Sequence, residues 1–278
     1  MIRSRLLTLR STPIASSIPR SIRFASTSAM TTITKRPWDA RGHADHGWLH
    51  TFHSFSFANY YEPKFESFGP LRVINEDRVE RGTGFGKHPH AEFLIWTYMV
   101  SGELEHRDSM GNVETVHRGE VQFTSAGTGI RHSEYNRNNE DAHLLQIWAK
   151  PNVRGLKPSY ATRKFDDASK ENKLVRIVDS VDRATGNAIP AHADVTMLAS
   201  ILSPGKSVTH ELVVPGPRKV YVQVVMSDRT QPADGAQLRI GGTVLGEGDG
   251  AFIETSESVA IESVGGRAAE FILFDMES

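Results

Sequence analysis

Short apolar runs alternate with polar turn segments along most of the chain. Runs such as 93–99, 144–148 and 220–226 are rich in Val, Ile, Phe, Tyr and Trp, the residues that favour β strands. Turn-forming pairs such as Ser101-Gly102 and Gly241-Gly242 separate the runs, and long segments with a 3.6-residue period are scarce. This pattern predicts an all-β chain that folds as a sandwich or a barrel.

A weak internal repeat indicates two domains. Gly119 and Gly248 each open a turn that also holds an acidic residue, and a strand-like segment follows each turn. Residues 151–189 between the two halves are polar and charged, which favours a connector packed across the surface. We therefore predict one domain over 39–150, the connector over 151–189, and a similar domain over 190–278.

Composition excludes several classes of function. The 278 residues contain no cysteine, so disulfides, thiolate ligands and cysteine nucleophiles are absent. No apolar run approaches the roughly 18 residues of a membrane-spanning helix, so no membrane partner is expected. The formal net charge of −1 argues against direct binding of nucleic acid, which needs a clear basic excess.

The first 38 residues differ from the rest of the chain in composition. They contain no Asp or Glu before Asp39, and they are rich in Arg, Ser and Thr. This composition is typical of a mitochondrial transit peptide, with cleavage expected between Phe24 and Ala25. A disordered basic tail is the alternative interpretation. Met30 offers a second start, which would give a cytoplasmic or nuclear form.

Two short histidine motifs predict a metal site. In a strand, residues i and i+2 share a face, so His88 and His90 should point the same way, with Glu92 continuing that face. His132 and Glu134 form a second pair of this kind. Three imidazoles and a carboxylate suit a divalent ion such as Fe, Mn, Ni or Zn, and they leave two octahedral positions open.

The residues around these pairs carry a family resemblance. The patterns G-x5-H-x-H over 82–90 and G-x5-S-x-G-x4-H-x3-N over 119–136 resemble the two cupin signatures. The stretches GWLHTFHSFSFANYY at 47–61, GFGKHPH at 84–90 and SAGTGIRHSEYN at 125–136 resemble the pirin family. The resemblance covers about residues 40–160, and it is nearest to bacterial and fungal pirin-like proteins with flavonol dioxygenase activity.

The resemblance implies a fold and a ligand set. The fold is a bicupin, two β-barrel domains of the jelly-roll type. Fe²⁺ would lie in the N-terminal barrel, with Mn, Ni, Zn and Cu as other possible metals. Its implied ligands are His88, His90, His132 and Glu134. The C-terminal barrel would hold no metal.

One position departs from the family pattern. Leu94 stands where pirins usually have a glutamate. Glu92 lies on the same predicted strand face and is the candidate to replace that carboxylate in any step that depends on it.

Two functions follow from the resemblance. The first is a quercetin 2,3-dioxygenase type of oxidoreductase, which takes a flavonol-like aromatic substrate and dioxygen. Glu134 is the first candidate for the catalytic base, and Glu92 is the second. The alternative is a non-enzymatic, iron-binding, redox-responsive transcriptional co-regulator that acts through a protein partner. An enclosed pocket beside the metal would favour the enzyme, and a large exposed patch would favour the co-regulator.

The other histidines are interpreted as structural. His43, His46, His50 and His53 have spacings that suit a helix face, and we expect them to be polar partners at the barrel edge; a second metal site is the alternative. His106 and His117 are expected to be solvated near turns. Phe55 or Phe57 is a candidate for the mouth of the pocket.

Overall fold

The computed structural model describes residues 31–227 and 235–278. Strands occupy most of this part, and its single α-helix spans four residues. Within the same ranges, none of the helices has the length and apolar character needed to cross a lipid bilayer.

The first half of the described chain is built from strands and two short 3-10 helices, Trp38–Ala40 and Pro63–Phe65. The strands are β1 (Thr32–Arg36), β2 (Gly42–Asp45), β3 (Leu49–His53), β4 (Leu71–Val79), β5 (Gly84–His90), β6 (Leu94–Ser101), β7 (Glu103–Asp108), β8 (Val113–His117), β9 (Glu120–Ser125), β10 (Ile130–Tyr135) and β11 (Ala142–Ala149).

The second half continues with the α-helix α1 (Asp167–Lys170) and eleven further strands. These are β12 (Ser159–Lys164), β13 (Val175–Ser180), β14 (Ile189–Ala191), β15 (Val195–Leu202), β16 (Ser207–His210), β17 (Arg218–Val224), β18 (Gln237–Ile240), β19 (Thr243–Gly246), β20 (Gly250–Thr255), β21 (Val259–Ser263) and β22 (Ala269–Glu277).

Each half forms a seven-stranded sheet that covers a four-stranded sheet. In the first half the orders are β12-β9-β6-β11-β4-β3-β2 and β5-β10-β7-β8. In the second half they are β1-β20-β17-β22-β15-β13-β14 and β16-β21-β18-β19. The predicted all-β bicupin class is therefore confirmed, with each unit a jelly-roll of two sheets.

The two large sheets pack against each other and form the main hydrophobic core. Alternation along β6 sends Leu94, Trp96 and Tyr98 into this core, where they meet Met197 and Phe274 of the second half.

The interiors of the two halves, each enclosed by its own large and small sheet, contain different side chains. The second is filled with apolar side chains such as those of Val222, Leu238, Ile253, Phe271 and Leu273. The first holds a smaller apolar cluster that includes Leu49, Val79, Met99, Leu104 and Leu144.

Two segments differ from the predicted organisation. Residues 31–38 belong to the predicted terminal extension, but Thr32–Arg36 forms an edge strand on β20 of the second half. The predicted surface connector supplies β12 to the first large sheet and β13 to the second. The physical reason is that sheet edges leave backbone groups unpaired, and a distant segment can satisfy them.

A buried ion pair joins the halves beside β4. Arg41 Nη1 donates to Glu76 Oε2 at 3.0 Å and to the carbonyl oxygen of Gly248 at 3.1 Å. Glu76 Oε1 accepts from the backbone N–H of Met226 at 2.7 Å and lies 3.1 Å from His143 Nε2. Burial alone would raise the pKa of Glu76, but the His143 bond and the Arg41 charge outweigh it and lower this pKa to about 2.

The ion pair gives a stability prediction. Glu76→Gln keeps the shape of the side chain but leaves Arg41 charged and buried without its counterion. We expect the free energy of unfolding to fall by roughly 3–5 kcal/mol, as for other broken buried pairs. Glu262→Gln, in the exposed pair with Arg239, is the control, with an expected loss below about 1 kcal/mol. Chemical denaturation measures both values, and similar losses in the two variants would contradict the prediction.

Candidate metal centre and adjoining cavity

Three histidines converge on the inner face of the small sheet of the first half. His88 and His90 lie on β5, and His132 lies opposite His88 on the antiparallel strand β10. The ring centroids are 4.5 Å apart for His88 and His132, 4.7 Å for His88 and His90, and 4.8 Å for His90 and His132. The strand alternation that the sequence predicts therefore brings these rings together.

The hydrogen bonds of His88 fix its tautomer. Its Nδ1 lies 2.8 Å from the carbonyl oxygen of Gly86, which can only accept, so Nδ1 carries the proton and Nε2 carries a lone pair. His88 Nε2 lies 3.0 Å from His132 Nε2. Burial lowers the pKa of His90 most, and the neighbouring His132 and His88 lower it further, to about 4. The His90 ring is therefore neutral near pH 7. Three imidazoles that converge in this way fit a divalent metal ion.

Glu134 lies beside this cluster, after a register shift that separates it from His132 along β10. Its carboxylate is buried and is held by two side chains. Gln146 Nε2 donates to its two oxygens at 3.2 and 3.4 Å, and Thr97 Oγ1 lies 3.4 Å from Oε1. Ligand atoms of His132 and Glu134 also lie within 4.8 Å of a third residue, His106.

His106 is a residue whose burial the sequence reasoning missed. It was expected to be solvated, but it is 1% exposed, lies opposite Glu134 and stacks on Tyr160 at 4.8 Å. Its Nε2 lies 3.2 Å from Asp108 Oδ2. A signal was present, because strand alternation places His106 on the same face as the apolar Leu104. His117 is exposed, as expected.

The structure does not bring Glu92 to the metal centre. The residue has a φ of 57°, and its carboxylate accepts the backbone N–H of Gly155 at 3.2 and 3.3 Å. Leu94 is buried in the core between the two large sheets. Both differences have one cause: a shared face requires an unbroken strand, whereas β5 ends at His90 and β6 begins at Leu94. The departure at Leu94 therefore lies away from the histidines.

A cavity of about 530 Å³ adjoins the histidine cluster, within the usual size range of small-molecule sites. Its aromatic lining includes Phe57, Tyr60, Phe85 and Trp148. Trp148 contacts both His90 and Phe57, with ring centroids 4.8 and 5.6 Å apart. Phe57 thus lines the pocket, whereas Phe55 is buried in the core. The walls are suited to a flat aromatic molecule.

The four clustered histidines lie on a β hairpin and the turn within it, not on a helix. His43 is on β2, and His50 and His53 are on β3, which pairs with β2. His43, His46 and His53 line the cavity, whereas His50 Nε2 lies 3.1 Å from Asp45 Oδ2. Among the described residues, none of the groups that could hold a metal includes these four.

Asp77 is a buried carboxyl group in the wall of the same cavity, on β4. Its Oδ1 has no hydrogen-bond partner among the described residues. Burial raises the pKa of Asp77 to about 7; the nearby Thr51 hydroxyl opposes the rise, and the charges of Glu134 and Glu76 add to it. Asp77 carried no motif, since its place in the cavity depends on tertiary structure.

Two family models match the chain. The Pirin model matches residues 34–149, and the model described as the quercetinase C-terminal cupin domain matches residues 178–276. The matches fall on the two units that the sheets define.

Individual relatives agree with these models. The chain is 41% identical over 245 residues to quercetin 2,3-dioxygenase of Escherichia coli (strain K12), a match that covers 88% of this chain and 98% of the relative. It is 35% identical over 243 residues to a pirin-like protein of Caulobacter vibrioides, covering 87% and 99% of the two chains. The structure of the bacterial pirin YhhW from E. coli in complex with nickel(II) is similar, with a TM-score of 0.78 and 38% identity, covering 88% and 99%.

The predicted mitochondrial location is wrong. The relatives that carry the similarity are bacterial proteins, and bacteria have no mitochondria. Most of the segment that suggested a transit peptide, residues 1–30, lies outside the described residues, and the remainder includes strand β1.

Asp77 gives a prediction for the pH dependence of stability. Its pKa is raised from 3.8 to about 7, so between these values the carboxyl is protonated in the folded state and ionised in the unfolded state. Stability is therefore lost as pH rises, by roughly 4 kcal/mol at most. In metal-free protein, Asp77→Asn should remove this loss. The free energy of unfolding of the variant should therefore rise relative to that of wild type as pH increases from 4 to 7.

The exposed Asp182 supplies the control for that experiment. The free energy of unfolding of Asp182→Asn should follow that of wild type over the same pH range. Parallel stability curves for Asp77→Asn and wild type would show that Asp77 ionises normally.

Proposed function

Because the chain belongs to the pirin family, we propose that it is a metal-dependent dioxygenase of the quercetin 2,3-dioxygenase type. The observation that carries the proposal is the convergence of three imidazoles at the wall of an aromatic cavity. The substrates would be dioxygen and a flavonol-like aromatic compound. Ring opening of quercetin would release carbon monoxide and leave a depside.

The ligand set in this proposal is His88, His90, His132 and Glu134. Its support is the donor chemistry: His88 Nε2 and His132 Nε2 meet at 3.0 Å, where two lone pairs repel unless a cation or a proton lies between them. Fe²⁺ is the proposed metal, and the nickel in the YhhW structure supports a divalent ion at a site of this kind. When bound, the metal ion supplies Lewis acidity towards a substrate hydroxyl and takes part in the reaction with dioxygen.

The side chains around the site have separate tasks in this proposal. Glu134 would help to hold the metal and would serve as the base that takes the proton of the substrate hydroxyl on its carboxylate. Gln146 and Thr97 hold the carboxylate in place by the bonds described above. Trp148 and Phe57 hold a flat ring system and exclude water.

The cavity also bears on the alternative function. A transcriptional co-regulator would use an exposed surface near the metal, whereas an enzyme needs an enclosed site for its substrate. The histidine cluster of this chain opens onto a cavity between strands β2, β3, β4 and β5, which supports the enzyme.

The ligand set can be tested by metal content. We expect His132→Ala to lose at least about 10-fold in metal bound per chain after dialysis, because one of the converging imidazoles is gone. His117→Ala removes an exposed histidine of β8 and should keep the wild-type content. Elemental analysis of the refolded and metal-loaded proteins gives the numbers. Full metal content in His132→Ala would contradict this ligand set.

Oxygen consumption tests the activity and separates the two candidate bases. Iron-loaded wild type should consume dioxygen only when quercetin is present. Glu134→Gln should lower the rate by at least about 100-fold, the usual contribution of a general base. Glu92→Gln should turn over at the wild-type rate, because the Glu92 carboxylate contacts the backbone of Gly155. An iron-loaded wild type without quercetin-dependent uptake would refute the flavonol assignment.

A further inference from the structure

We propose that His53 contacts the substrate in this cavity, accepting through Nε2 a hydrogen bond from a ring hydroxyl of a polyhydroxylated aromatic compound. Asn75 is the positioning residue that holds the imidazole in the required tautomer. This inference rests on the proposed function and names a residue that would decide which flavonols the site prefers.

The first support is the hydrogen bonding of the ring. His53 ends β3 and lies directly opposite Asn75 on β4. Its Nδ1 lies 2.8 Å from Asn75 Oδ1, a carbonyl oxygen that can only accept, so Nδ1 carries the ring proton. Thr51 Oγ1 also lies 3.4 Å from Nδ1, so within residues 31–227 and 235–278 the hydrogen bonds of the ring use Nδ1, and the lone pair is on Nε2.

The second support is the place of the ring in the cavity. His53 lines the cavity and is packed between Phe57 and Tyr60, with ring centroids 5.4 and 6.4 Å away. Phe57 in turn contacts Trp148, and Trp148 contacts His90 of the metal centre. A row of aromatic rings therefore connects His53 with the proposed metal ligands along one wall.

The third support is the rigidity of this wall. Asn75 precedes Glu76, whose side chain is fixed on the opposite face of β4 by Arg41 and by the backbone of Met226. Because adjacent residues of a strand point to opposite faces, this anchor also holds the Asn75 side chain on the cavity face of β4, where its amide oxygen meets His53. An acceptor held in one orientation loses little entropy on binding a ligand.

The charges around His53 favour its neutral form. Burial lowers the pKa of His53 most, the Asn75 bond opposes this, and Arg41, His43 and His46 lower the pKa further. Tyr60 and Asp77 are the other titratable groups in this part of the cavity wall. A neutral ring keeps its acceptor near pH 7, and protonation at lower pH removes it.

Binding measurements without dioxygen test the proposal on the metal-loaded full chain. The probes are quercetin and 3-hydroxyflavone, which keeps the flavonol group but lacks the other ring hydroxyls. We expect His53→Phe to raise the Kd of quercetin about 3- to 10-fold, the value of one hydrogen bond, and to leave the Kd of 3-hydroxyflavone unchanged. His117→Phe should leave both values unchanged.

The pH dependence separates a contact from a role in folding. The preference for quercetin is the ratio of the Kd of 3-hydroxyflavone to the Kd of quercetin, and a change in metal occupancy cancels in this ratio. In wild type, this ratio should fall as pH falls, because His53 is then protonated. His53→Gln keeps an acceptor that does not titrate, so it should retain part of the preference and lose this pH dependence. Asn75→Asp places a negative charge beside the ring, raises the pKa of His53 and should move the transition to higher pH.

The outcomes distinguish this inference from the proposed function. Equal weakening of both ligands in His53→Phe, or an unchanged Kd for quercetin, would overturn the role of His53 while the dioxygenase assignment stands. Failure of metal-loaded wild type to bind either flavonol would overturn both.

Discussion

The buried ion pair of Arg41 and Glu76 is the contact on which the site depends. It lies where β4 faces the second half, and its side chains are fully buried. On the other face of the same strand, Asn75 and Asp77 point into the cavity. A charge pair without water around it must keep close to one geometry to offset its desolvation. The contact that joins the two halves therefore also fixes the wall of the cavity.

The two halves share a sheet order but use their interiors differently. Apolar side chains, most of them aliphatic, fill the interior of the second half in the described part of the chain, and their packing stabilises this half. The first interior has a smaller apolar cluster and leaves its remaining space to histidines, carboxyl groups and amides. One copy of the fold thus encloses an apolar cluster, while the other holds the histidine cluster and the cavity of the proposed site, as expected when function resides in a site and not in the fold.

The polar interior has a cost in stability. His106, His132 and Asp77 each have a buried polar atom without a hydrogen-bond partner in the described part of the chain. Such atoms are rare in folded proteins because each forfeits its interaction with water. Asp77 lies in the cavity wall, and His106 and His132 belong to the groups of side chains that could hold a metal ion. The tightly packed second half and the core between the large sheets compensate for this cost.

The sequence by itself determined the strands, the pairing of two similar units, and the face shared by His88 and His90. These are local properties, because the two-residue period of a strand decides which side chains lie together. Only the tertiary structure decided the rest. The break between β5 and β6 places Glu92 and Leu94 away from the histidines. Strands β1 and β12 each complete a sheet whose neighbouring strand is distant in sequence. His53, Asp77 and His106 entered the site because strand pairing is non-local, and no sequence period records which distant strand will lie alongside.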